Sequence, residues 1–97
     1  MKIRVLPEAV QDLLDGISFY ERQGSGLGDY FRDSLFSDIE SLHLFAGIHA
    51  KFEEKYYRLL ARRFPFAVYY LLEEGQIQIV AILDCRRNPD TAITRLK

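Results

Sequence analysis

The stretch Phe66-Ala67-Val68-Tyr69-Tyr70-Leu71-Leu72-Glu73-Glu74-Gly75-Gln76-Ile77-Gln78-Ile79-Val80-Ala81-Ile82-Leu83 decides the fold. Phe66–Leu72 carries β-branched, aromatic and aliphatic residues at successive positions, so both of its faces are apolar, as in the central strand of a sheet. Glu73-Glu74-Gly75-Gln76 is a polar reversal with a glycine free to adopt positive φ. Ile77–Leu83 then returns as a second strand, with Ile77, Ile79, Ala81 and Leu83 expected on one face and Val80 and Ile82 on the other. Two apolar strands joined by so short a turn form an antiparallel hairpin.

Upstream of it, Pro65 interrupts the chain. Before the proline, Tyr57, Leu59 and Ala61 alternate with Tyr56, Arg58 and Leu60, which predicts a third strand. Gly47–Lys55 is polar and aperiodic and reads as a loop. Downstream, Arg86-Arg87 and the breaker Asn88-Pro89 end the last strand.

The N-terminal half has a different period. Lys2–Leu6 alternates, with Ile3 and Val5 on one face, and reads as a short edge strand. Pro7 stops the strand and suits the first position of a helix, because its missing N–H has no intrahelical partner there. Val10, Leu13, Leu14 and Ile17 follow helical spacing, and Tyr20 extends the stripe to a helix end near Arg22. Gln23-Gly24-Ser25-Gly26 makes a tight link. Phe31, Leu35, Ile39, Leu42 and Phe45 predict a second helix over Leu27–Phe45. The expected architecture is α+β: an N-terminal strand, a helical hairpin, then an antiparallel meander with the helices on one face.

At 97 residues and 48% hydrophobic, the chain has material for one core, and it reads as a single domain over 1–97. One cysteine makes no intrachain disulfide, and no apolar run approaches the ~20 residues of a membrane span. The polar N-terminal segment does not resemble an export signal. A cytoplasmic location without membrane association is the expectation. The net charge of −1 argues against direct, specific DNA binding by this chain, although Arg58, Arg62, Arg63, Arg86, Arg87 and Arg95 crowd the C-terminal half.

No P-loop, GxGxxG, HExxH or GxSxG motif occurs. His43 and His49 stand six apart, the wrong spacing for two ligands on one helical face, so neither metal nor cofactor is expected. Cys85 at a strand end reads as a small buried hydrophobe. The arginines hold the chemical interest, because guanidinium groups clamp phosphate or carboxylate and offset developing negative charge. Arg58 and Arg62 share parity on one strand and Arg86 ends another, so the three are expected to converge; Arg63 and Arg87 project elsewhere. Phe36 and Leu44 lie off the apolar stripe of the second helix, and Phe19 off that of the first, leaving apolar surface for a partner or for solvent.

The run Tyr56-Tyr57-Arg58-Leu59-Leu60-Ala61-Arg62-Arg63-Phe64-Pro65-Phe66-Ala67-Val68-Tyr69-Tyr70, together with Ile79–Pro89, resembles the C-terminal half of RelE/ParE toxins, and the strand and helical hairpin before it are similar to that family's arrangement. The resemblance implies a growth-inhibiting toxin of a type II toxin-antitoxin module, of the kind that contributes to plasmid stabilisation. It implies a cognate antitoxin whose tail covers apolar grooves and a sheet edge, for which Phe19, Phe36, Leu44, Arg63 and Arg87 are the binding candidates toward antitoxin or target. It also implies either of two targets: the ribosome, where the RelE branch cleaves messenger RNA, or DNA gyrase, which the ParE branch inhibits.

As RelE-type catalytic residues, only Arg58, Arg62 and Arg86 match. Leu60 stands where a lysine would be expected, Ala67 where an arginine would be, and Ala92 near the position of a tyrosine. The resemblance is therefore closer to ParE, and a non-enzymatic inhibitor is expected. The alternatives are a RelE-like ribonuclease and a non-toxic antitoxin-binding module.

Overall fold

The computed structural model describes residues 1–97. In chain order it contains β1 (Lys2–Val5), α1 (Pro7–Gln23), α2 (Leu27–Glu40), α3 (Leu42–Phe45), β2 (Lys51–Phe52), β3 (Tyr56–Leu60), β4 (Phe66–Glu73), β5 (Gln76–Asp84) and α4 (Asp90–Leu96). The strands form one sheet in the order β1-β5-β4-β3-β2. β2 through β5 pair antiparallel, whereas β1 lies parallel to β5. The expected α+β architecture is the observed one. The hairpin turn is tight because Glu74 and Gly75 both take positive φ, at 51° and 75°, which matches the right-handed twist of the strands it joins.

The strand faces follow from burial. Phe66, Val68 and Tyr70 of β4, Leu59 of β3, and Ile77, Ile79 and Ile82 of β5 face the helices and join Ala9, Leu13, Phe31, Leu35, Ile39 and Leu42 in the main core. Ala67, Tyr69, Ala81 and Tyr56 form a second, smaller cluster that Leu96 of α4 closes. The expected alternation along β5 is corrected here. Tyr69 pairs with Ala81 and Tyr70 with Ile79, so Val80 is an extra residue. This bulge inverts the phase of everything after it, placing Ile82 on the helix side and Ala81 and Leu83 opposite. Asp12 of α1 accepts the Ile82 N–H at 3.0 Å just beyond the bulge.

The helical stripes are also shifted. Val10 and Leu14 are 41% and 50% exposed, and the buried face of α1 runs instead through Ala9, Leu13 and Gly16. The reason lies in the two glycines at the helix crossing. A Cβ on Gly28 of α2 would stand 2.9 Å from the Ile17 carbonyl oxygen, and one on Gly16 would stand 2.6 Å from the Phe31 ring. The contact line therefore passes over residues that carry no hydropathy signal. Phe31 anchors an aromatic group with Tyr20, Phe64 and Phe66, at centroid separations of 4.9, 5.0 and 4.9 Å.

Three further expectations are corrected. The second helix breaks at Ser41, whose hydroxyl donates to the Asp38 carbonyl at 2.5 Å and competes for the backbone, bending the chain into α3. Within the supposed loop of Gly47–Lys55, Lys51 and Phe52 add a two-residue strand. The helices were expected on one face alone, but after Asn88-Pro89 the chain forms the short α4, which covers part of the second, otherwise open face of the sheet. None of the helices is long and apolar enough to cross a membrane.

Candidate functional site on the open face of the sheet

The bulge and the strand phases divide the arginines. Arg58 of β3 pairs in register with Tyr69 of β4, on the face that carries the smaller cluster. Arg62, beyond the end of β3, turns toward the helices. Asp38, 3% exposed, accepts its backbone N–H and its Nε, each at 3.2 Å. Arg86 folds onto Asp84 through Nη2 to Oδ2 at 2.8 Å and Nε to Oδ1 at 3.1 Å, and its Nη2 also donates to the Tyr20 hydroxyl at 3.4 Å. The expected convergence of Arg58, Arg62 and Arg86 does not occur. Parity failed because Arg62 lies past the last paired residue of β3, and Arg86 lies past the end of β5.

Arg58 is instead joined by Arg87. The two line a cavity of about 190 Å³ together with Phe52, Tyr69, Asn88 and Thr91. Arg58 Nη2 donates to Cys85 Sγ at 3.8 Å, while its Nε is buried without any acceptor. Cys85 is exposed rather than buried, because the strand ends at Asp84 and the turn carries the thiol away from the core. Phe52 and Tyr69 meet edge to face at 5.3 Å. Burial pushes the Tyr69 hydroxyl above its ordinary value, with the charge of Arg58 acting in opposition and Cys85 adding to the rise. Sequence reading passed over Tyr69 as a site residue. Its signal was the register that sets it opposite Arg58, which appears only once the hairpin pairing is fixed.

The positions that depart from the nuclease pattern have distinct fates. Leu60 is exposed at the end of β3, Ala67 is fully buried inside the small cluster, and Ala92 lines the cavity from α4. Asp84 lowers its own pKa through the hydrogen bond from Arg86, which outweighs the opposing effect of burial, so its charge is committed to that partner. Arg63 is exposed, with no carboxylate within 4.0 Å. His43 reaches toward Glu40 at 3.6 Å, and His49 shares a hydrogen bond with the Tyr70 hydroxyl on the other side of the sheet.

The apolar candidates lie on three different helices. Phe19 of α1 is 39% exposed, packs edge-on against Tyr20, and lines a wider cleft of about 480 Å³ between α1 and the end of β5. Phe36 of α2 and Leu44 of α3 are 45% and 83% exposed. Val10 and Leu14, one turn apart on α1, add further apolar surface to the hairpin.

An N-terminal strand, a helical hairpin and an antiparallel meander are the arrangement expected of the small toxins that the sequence resembles. The family described as ParE toxin of type II toxin-antitoxin system, parDE, matches residues 3–89, and the chain belongs to that family. Among solved structures, the chain is similar to one titled "Chromosomal ParDE TA system from P. aeruginosa". The TM-score is 0.77 at 20% identity, covering 84% of this chain and 92% of the other, which shows a shared fold. No curated protein sequence matches the chain.

Proposed function

We propose that this chain is a toxin that arrests growth by inhibiting DNA gyrase and that a co-produced antitoxin neutralises it in the cytoplasm. Membership of the ParE family supports the toxin role. The separation of Arg58, Arg62 and Arg86 carries the choice of mechanism. A ribonuclease must gather cationic and proton-transferring groups around one scissile phosphate, and each such group contributes orders of magnitude in rate. Here Arg62 is engaged by Asp38 and Arg86 by Asp84, while leucine and alanine occupy the positions of the remaining expected groups. A binding inhibitor has no such requirement.

The antitoxin is proposed to lay an apolar segment on the helical hairpin, where Val10, Leu14 and Phe36 are open, with Phe19, Leu44, Arg63 and Arg87 as further contacts. Inducible expression of the chain alone, with growth, messenger integrity and plasmid supercoiling followed together, tests this reading. The expected result is arrest with altered supercoiling and intact messenger, retained by Arg58→Ala and Arg86→Ala. Codon-periodic messenger cleavage would establish the ribosome as the target, and absence of arrest would leave an antitoxin-binding module.

A further inference from the structure

The geometry points to a phosphate-binding pocket on the open face of the sheet, built by Arg58 and Arg87 and floored by Tyr69. Its two guanidinium groups have no carboxylate partner within 4.0 Å, whereas the other arginines of the C-terminal half, the solvent-exposed Arg63 apart, each have one. The Arg58 Nε is the sharper observation. It is buried and unpaired, and a buried charged donor left without an acceptor is destabilising. Arg58 also lines the cavity, so a ligand that brings acceptor oxygens there meets a guanidinium whose hydrogen bonds the protein leaves incomplete.

The ligand class follows from charge and shape. The cavity, at about 190 Å³, exceeds by an order of magnitude the 10–15 Å³ or so that one water needs on a comparable measure. Asp84 also borders it, but its carboxylate is hydrogen-bonded to Arg86, so Arg58 and Arg87 leave the cavity with a net positive charge. Two positive charges match the roughly doubly charged phosphate monoester better than a singly charged carboxylate, and guanidinium groups suit its oxygens geometrically. The Asn88 amide and Thr91 hydroxyl add neutral polar groups at the rim, and the Phe52 and Tyr69 rings give an apolar wall against which a sugar or base can rest. The same pocket thus takes free phosphate or the phosphate of a nucleoside monophosphate. This inference is independent of whether the chain acts on gyrase.

Titration of the purified chain with inorganic phosphate, adenosine 5′-monophosphate and acetate, followed by NMR through the Arg58 Nε–H resonance, tests the pocket. Saturable shifts with phosphate and not with acetate are expected. Arg58→Gln and Arg87→Gln should each weaken binding by at least about tenfold, the loss expected from removing one charge-assisted hydrogen bond. Arg87 is exposed, so its variant keeps the test valid if the Arg58 variant unfolds. Tighter binding of the nucleotide than of inorganic phosphate would assign the wall to a nucleoside; equal binding would assign the pocket to free phosphate. The proposal is overturned if neither phosphate ligand saturates, if acetate binds as tightly, or if Arg87→Gln leaves the affinity unchanged.

Discussion

Arg95 of α4 clasps Asp12 of α1 with two parallel hydrogen bonds, Nη1 to Oδ1 at 2.9 Å and Nη2 to Oδ2 at 2.7 Å. Glu8 adds a third contact to Arg95 Nε at 3.2 Å, and Asp12 also accepts the Ile82 N–H beyond the β5 bulge. One carboxylate therefore ties together α1, β5 and the C-terminal helix. The bidentate arrangement is the stronger form of ion pair, and both side chains are largely screened from solvent.

Asp12→Ala should release α4 and destabilise the domain by about 2 kcal/mol, the scale of losing hydrogen bonds to a charged group. The check is amide hydrogen exchange: protection over α4 and at Ile82 should fall together. Arg95→Ala should expose α4 alone and leave Ile82 protected.

Gly16→Ala should be destabilising although the site is helical and alanine is the better helix former. Its Cβ would lie 2.6 Å from a Phe31 ring that is fully buried among Tyr20, Phe64 and Phe66 and has little room to yield. Overpacking costs typically about 1–3 kcal/mol, more than the ~1 kcal/mol gained in propensity. Urea denaturation measures the difference.

Asp38 and Arg62 should be unequal partners. Asp38→Ala leaves the Arg62 N–H and guanidinium both without their acceptor and should cost about 2 kcal/mol, whereas Arg62→Ala retains the backbone bond and removes a side chain that is mostly in solvent. Arg62→Ala should cost under about 1 kcal/mol. Equal losses in thermal or urea unfolding would contradict this ranking.

His49 should make the domain sensitive to mild acid. Burial lowers its pKa below 6.5, so the folded state favours the neutral ring that bonds Tyr70. At pH values just below 6.5 the unfolded chain therefore binds more protons than the folded one. The stabilisation is present above pH 6.5 and lost as pH falls through the folded value. Asp84, whose pKa is also lowered, contributes in a separate window beneath about 3.8. Urea midpoints between pH 7.5 and 5.5 should drop for the natural chain and less for His49→Gln.

Phe36→Asp should weaken antitoxin capture by tenfold or more with little change in stability, because the ring is 45% exposed and a charge there opposes an apolar partner. Affinity of the purified complex by calorimetry is the measurement. Unchanged affinity would remove α2 from the interface.

The local elements were legible in the sequence because each rests on near neighbours. The Glu74-Gly75 turn, the doubly apolar β4, the proline at the start of α1 and the glycine-rich hairpin link all act within a few residues, and the family resemblance rests on the same segment. The face assignments were not legible. Inserting Val80 reverses the alternation of β5, and only pairing with β4 reveals the insertion. Likewise the α1–α2 contact runs over Gly16 and Gly28, which helical periodicity ignores.

The arginines show the same division. Sequence alone determined that arginines crowd the C-terminal half, with leucine and alanine at positions where a RelE-like nuclease is expected to carry basic residues and a tyrosine. Tertiary structure decided their partners: Asp38 for Arg62, Asp84 for Arg86 and Asp12 for Arg95, leaving Arg58 and Arg87 together on the open face. Strand parity predicts a side chain's face only while the ladder is regular and only within it. A charge's partner depends on which distant segments the core brings alongside, as Arg95 meets Asp12 across almost the whole length of the chain.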